Sequence, residues 1–125
     1  MLKYVIQISV LVFFSCSNNL ENENIYQVQN INEYIPISIC KCNEDGIKSL
    51  KKAIKLRKNF KELEEYQNNA RAIKTMNIVK KNWSLVRDKC MMKFGAQLFV
   101  PSNCNDLEKI GKLREQLDQM GIRTS

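Results

Sequence analysis

A chain of 125 residues has room for one domain, and 44% hydrophobic with 26% charged side chains is the make-up of a folded protein, not a disordered one. Only 4 Gly and 2 Pro disfavour a turn-rich β architecture and favour helices. The formal charge of +7 biases the chain toward anionic partners, and the absence of histidine removes Ser-His-Asp and Cys-His catalysis together with the commonest zinc ligand.

The N-terminal stretch is a targeting signal before it is a fold. Lys3 supplies a positive charge, and Tyr4 to Phe14 is apolar except for Gln7 and Ser9. That run of 11 residues is well short of the roughly 20 needed to span a bilayer and fits the hydrophobic region of a secretory signal. Phe13, Phe14 and Ser15 precede Cys16, so an A-x-A-like cleavage site is absent. The stretch resembles instead the lipobox of bacterial lipoproteins: an apolar residue three before the cysteine, a small one directly before it, then Cys. The resemblance implies diacylglycerol on the Cys16 thiol and cleavage by signal peptidase II, so that 1–15 is a signal peptide. Phe13 stands where Leu is usual and Phe14 where a small residue is usual, as in the relaxed lipoboxes of Bacteroidota and spirochaetes. One acyl chain gives marginal membrane binding, at ~0.8 kcal/mol per buried CH₂, whereas two or three hold permanently. Removing Lys3 leaves 19 basic side chains against 13 acidic.

Residues 16–39 are expected to form the lipidated terminus and a flexible tether, being rich in Asn and Glu with no sustained helical period. As a coil, its 23 residues after Cys16 would span roughly 25–30 Å. In its last part Ile35, Ile37 and Ile39 alternate with Pro36 and Ser38, the pattern of an extended segment packed on a domain. Ser17, Asn18, Asn19, Leu20 and Glu21 are similar to the acidic surface-export signal of Bacteroidota lipoproteins, with Asn where Asp would carry charge. The expected location is the outer membrane facing the periplasm, with surface exposure open.

Four cysteines remain: Cys40, Cys42, Cys90 and Cys104. In an exported chain they read as two disulfides within a helical domain over 40–125. A Cys40–Cys42 ring is strained, which leaves Cys40–Cys104 with Cys42–Cys90, or the swap. Apolar residues recur at Ile47, Leu50, Ile54, Phe60, Leu63 and Tyr66, and again at Ala70, Ile73, Met76, Val79, Trp83, Val86, Cys90 and Phe94. This is helical spacing. One unbroken helix over that range, about 70 Å long, would separate the cysteines, so the chain must reverse. "YQNNA" predicts the break, giving helices over 44–66 and 70–94; Asn59 is the other candidate. Gly95 suits a helix end, and Pro101 forces extension before it. Asn105 with Glu108 has capping-box spacing, opening a third helix over 106–119 with Leu107, Ile110, Leu113 and Leu117 on one face; Gly111 weakens it and Gly121 closes it. The fold class is therefore all-α, a disulfide-stapled helical hairpin plus a C-terminal helix. The C-x-C start, hairpin and returning cysteine resemble small uncharacterised lipoproteins of Bacteroidota, from which no activity carries over.

Catalytic residues, cofactors and metals are not expected. The cysteine spacing is not a paired zinc knuckle, and no Gly-rich phosphate loop occurs. Cys40-Lys41-Cys42 as a redox dithiol, and Glu62, Glu64 and Glu65 as catalytic carboxylates, are each outweighed by structural half-cystines and a solvated face. Lys48, Lys51, Lys52 and Lys55 form a basic face for anionic lipid or another polyanion; no nucleic-acid motif accompanies them. Trp83, Met91, Met92 and Phe94 read as core, with a partner groove as the sharper alternative. The expected function is a non-enzymatic envelope lipoprotein that binds or scaffolds another component. An immunity or inhibitor lipoprotein against a periplasmic toxin or hydrolase is the alternative.

Overall fold

Ser38 opens the first helix. Its backbone is extended, and its Oγ accepts the Lys41 N–H at 3.1 Å, satisfying one of the free donors of the first turn. The chain is seen here in a computed structural model that describes residues 34–125; the signal peptide 1–15, Cys16 and the tether through residue 33 lie outside the described residues. From the Ser38 cap, α1 runs Ile39–Lys58, five residues earlier at its start than the hydrophobic pattern predicts and eight earlier at its end. The early start has a plain cause: Cys40 and Cys42 are in the first turn of the helix, not ahead of it. Two residues apart on a helix, they point in nearly opposite directions. Cys42 faces inward and bonds Cys90, while Cys40 faces out and bonds Cys104.

The reversal occurs in two steps, so both candidate breaks are used. α1 ends at Asn59, with Lys55, Arg57 and Lys58 in its last turn complementing the helix dipole. A single-turn α2, Leu63–Gln67, follows and packs against the helix after it. Asn69 caps α3, Ala70–Phe94, accepting the Ala72 N–H at 2.9 Å. The predicted helix over 44–66 is thus corrected to two pieces. The cause is Arg57: its buried side chain donates to the Phe60 carbonyl at 2.9 Å and to the Met120 carbonyl at 3.0 Å, fixing the turn after α1. Tyr66 packs beside that guanidinium, 5.7 Å from the ring centre, and edge-on to Phe60. Burial raises the Tyr66 pKa and Arg57 partly offsets it.

α3 leads through Gly95, at φ +54°, into a short 3-10 helix, Gly95–Phe99. α4, Leu107–Gln119, returns along α1. Its cap is Asp106, which accepts the Lys109 N–H at 2.9 Å, and not Asn105. Asn105 is buried and donates to the Leu98 and Val100 carbonyls at 3.0 and 2.9 Å, locking the loop instead. Gly121, at φ +81°, closes α4 in a Schellman motif: Ile122 N–H reaches Leu117 O at 2.8 Å and Gly121 N–H reaches Asp118 O at 3.0 Å. Ile122 and Leu117 are both buried, the apolar contact that accompanies this motif.

α1 is the central helix, packed against both α3 and α4. The main core joins Leu50, Ala53, Ile54 and Leu56 of α1 to Met76, Val79 and Trp83 of α3 and Leu117 of α4. The three helices meet at Gly46, where a Cβ would stand 3.0 Å from Trp83 and 3.2 Å from Ile110. No strand forms among the described residues beyond one isolated bridge between Ser102 and Asn105, and no described helix is long and apolar enough to cross a membrane.

Candidate functional site

The four cysteines gather the N-terminus of α1, the C-terminus of α3 and the loop before α4 at one end of the domain. A second, smaller cluster fills this stapled end: Cys42, Val86 and Cys90, with Tyr34, Phe94 and Leu98 against them. Tyr34 donates to Asp45 Oδ2 at 3.0 Å, and its hydroxyl lies 3.9 Å from Cys90 Sγ. Burial first, then the Asp45 carboxylate, raises its pKa far above the usual phenol value. Pro36 is buried and its carbonyl accepts from Lys93 Nζ. Among the described residues, contacts with the helices thus already include Tyr34 and Pro36, ahead of residue 40. The expected extended segment does pack on the domain, through Tyr34 and Pro36, and its alternation sends Ile35 and Ile37 outward.

The remaining sequence candidates separate. Cys40 and Cys42 share no bond, and Lys41 between them pairs with Glu44 at 3.2 Å and Asp45 at 3.0 Å. Those acceptors, Asp45 foremost, raise the Lys41 pKa. Glu62, Glu64 and Glu65 are exposed; Glu65 accepts the Lys61 N–H at 3.3 Å, and the three serve a turn. Trp83 and Phe94 belong to the two core clusters, whereas Met91 and Met92 are exposed, so the four do not line one groove. Lys48, Lys51 and Lys55 are exposed and Lys52 is half-buried on one face of α1, with no ion pair to any of them among the described residues.

Sequence reasoning missed the buried polar residues. Asn43 donates to the Asp106 carbonyl at 3.2 Å; Arg57 and Asn105 likewise donate to main-chain carbonyls. Each side chain ties two segments together. Arg57 fell within a lysine-rich run, but it occurs seven residues after Leu50 and three after Ile54, on the apolar period, and that is the signal by which it could have been found. Two open depressions, of about 550 Å³ beside Arg114, Asp118 and Arg123 and about 500 Å³ beside Lys80, Lys81 and Asp88, carry mixed charges. No grouping of three or more His, Cys, Asp or Glu suited to a metal ion occurs among the described residues. Comparison with known proteins finds no family model, curated protein or solved structure that matches the chain.

Proposed function

We propose that the chain is an envelope lipoprotein anchored through acylated Cys16, whose helical domain binds or scaffolds another envelope component and carries out no reaction. The observation that supports this best is the cysteine pairing. Four of the five cysteines are used up in two mutual disulfides, and the odd one, Cys16, ends the apolar run Tyr4 to Phe14. Two disulfides suit an oxidising compartment, and a lone thiol after a short apolar run suits acylation. The buried polar groups Asn43, Arg57 and Asn105 all hold main-chain carbonyls, as expected of a scaffold. The basic face of Lys48, Lys51, Lys52 and Lys55 is offered to a polyanion of the envelope, and the outer membrane facing the periplasm is the proposed location.

Intact mass of the protein extracted from membranes, with and without reduction before thiol alkylation, tests the reading. The expected chain starts at Cys16, carries acyl groups, and shows four thiols only after reduction. A chain retaining Met1 with free thiols overturns it. Crosslinking in cells then identifies the partner; capture of a toxin or hydrolase would make the domain an inhibitor and not a scaffold.

A further inference from the structure

The large hydrophobic side chains that stay exposed are not scattered. Ile35 (74% exposed), Ile37 (76%), Met91 (39%), Met92 (81%), Phe99 (63%) and Val100 (62%) are the exposed large hydrophobics among the described residues. All six belong to the stapled end. Ile35 and Ile37 flank Pro36, whose carbonyl takes the Lys93 ammonium; Met91 and Met92 lie beside Lys93; Phe99 and Val100 belong to the loop that Asn105 holds through the Leu98 and Val100 carbonyls. The opposite end, where α1 meets α2, has none. Apolar side chains concentrated at one end of a small domain mark an interaction surface.

The chain path identifies the occupant. The stapled end is where the sequence arriving from Cys16 joins the domain, and Tyr34 is eighteen residues from that cysteine. That segment enters the domain at this end, whereas the 25-residue α3 extends about 37 Å away from it. A bilayer holding Cys16 therefore meets the apolar end first, at high effective concentration. We propose that Ile35, Ile37, Met92, Phe99 and Val100 dock the domain end-on into the phospholipid interface; this rests on the lipid-anchor reading above. The contact is apolar, not ionic. Near this end Lys41 pairs with Glu44 and Asp45, Arg87 pairs with Asp88, and the Lys93 ammonium is taken by the Pro36 carbonyl. Lys48 and Lys55 stand about 14 and 24 Å along α1 from Ile39, beyond a Debye length of about 8 Å.

The acylated chain carrying Phe99→Trp, reconstituted in phosphatidylcholine vesicles with brominated acyl chains, tests this. Trp83 is buried in the core and supplies a background that lipid does not reach. Flotation reads the anchor, and quenching reads the docking. The expected result is flotation with loss of most of the added emission, unchanged in molar salt. Adding Ile37→Asp and Met92→Asp should restore emission without altering flotation or the helical spectrum. Flotation without quenching overturns the docking and leaves the anchor standing; failure to float, with an unacylated Cys16, overturns both. Quenching abolished by salt assigns the contact to the lysines and overturns the proposal. An unquenched emission that shifts to the blue as protein density rises assigns the surface to a second copy, and overturns it as well.

Discussion

Removing each disulfide separately should produce unequal losses whose order follows from nesting and burial. The Cys42–Cys90 bond closes a separation of 48 residues inside the 64 closed by Cys40–Cys104. On chain-entropy grounds the inner bond alone is worth ~4 kcal/mol. With the inner bond present, the outer one closes only a loop of about 17 residues, running from Cys40 to Cys42, across the inner bond and from Cys90 to Cys104, and adds ~3 kcal/mol. Both together contribute ~7 kcal/mol, comparable to the entire stability of a domain this size. Entropy makes either single loss about equal, at ~3 kcal/mol. Burial separates them. Cys42 and Cys90 are buried, whereas Cys40 and Cys104 are exposed. Truncating the inner pair also removes packed sulfur from the small cluster, a further ~1–2 kcal/mol. Thermal unfolding of Cys40→Ser/Cys104→Ser should therefore fall by roughly 15 °C, and that of Cys42→Ala/Cys90→Ala by roughly 20–30 °C, at about 4–8 °C per kcal/mol. Circular dichroism on oxidised protein, with free thiols counted, measures both. An outer-pair loss equal to or greater than the inner, or full reduction without effect, would refute the stapling argument.

Gly46→Ala should lower stability by about 1–3 kcal/mol, because its Cβ would press on Trp83 and Ile110; Gly111→Ala, with nothing within 4 Å, should raise it by about 0.5–1 kcal/mol. Chemical unfolding of the two variants side by side checks the opposed signs. Asn105→Ala strands the Leu98 and Val100 carbonyls and should cost about 1–3 kcal/mol, with amide exchange accelerating first in the loop before α4. Stability should also fall in base. Tyr34 binds its proton more tightly folded than unfolded, so its contribution is complete below the ordinary phenol value near 10 and is lost as pH rises above it. Tyr34→Phe should flatten that alkaline limb in a stability profile from pH 8 to 12, while losing the Asp45 bond at every pH; an equally steep limb in the variant would assign it elsewhere.

The helices were legible because their apolar period is strong. Met76, Val79, Trp83, Val86 and Cys90 all lie on the buried side of α3, and its bounds at 70 and 94 follow from Asn69 and Gly95. Gly121 closes α4 as a glycine in its place should. What the pattern could not convey was long-range hydrogen bonding. Asn105 has the spacing of a cap, yet its neighbour Asp106 can cap equally well, and only the proximity of Leu98 and Val100 decides which one turns inward. The end of α1 was visible only as the second candidate, Asn59, because what fixes it is distant: Arg57 is engaged by Phe60 and by Met120, the latter 63 residues away. The outward turn of Ile35 and Ile37 was equally invisible, since alternation fixes that two sides exist but not which one meets the helices.

That last residue pair also explains why the covalent links are where they are. A helical end is ordinarily held by burying the apolar side chains nearest to it. Here Ile35, Ile37, Met92, Phe99 and Val100 point away from the interior, and the cluster left behind is built around Cys42, Val86 and Cys90. The opposite end needs no such help: Leu117, Ile122, Tyr66 and Leu63 close it, with Arg57 bonded across. Both disulfides lie at the end whose hydrophobic residues are turned outward, and chain entropy there replaces the burial that was given up. A domain stapled in this way can present an apolar surface without unravelling from it. If the surface were an accident of packing, turning it polar would leave stability unchanged and leave the membrane contact unchanged too. On the docking proposal the first holds and the second does not, and Ile37→Asp with Met92→Asp in the acylated chain separates the two.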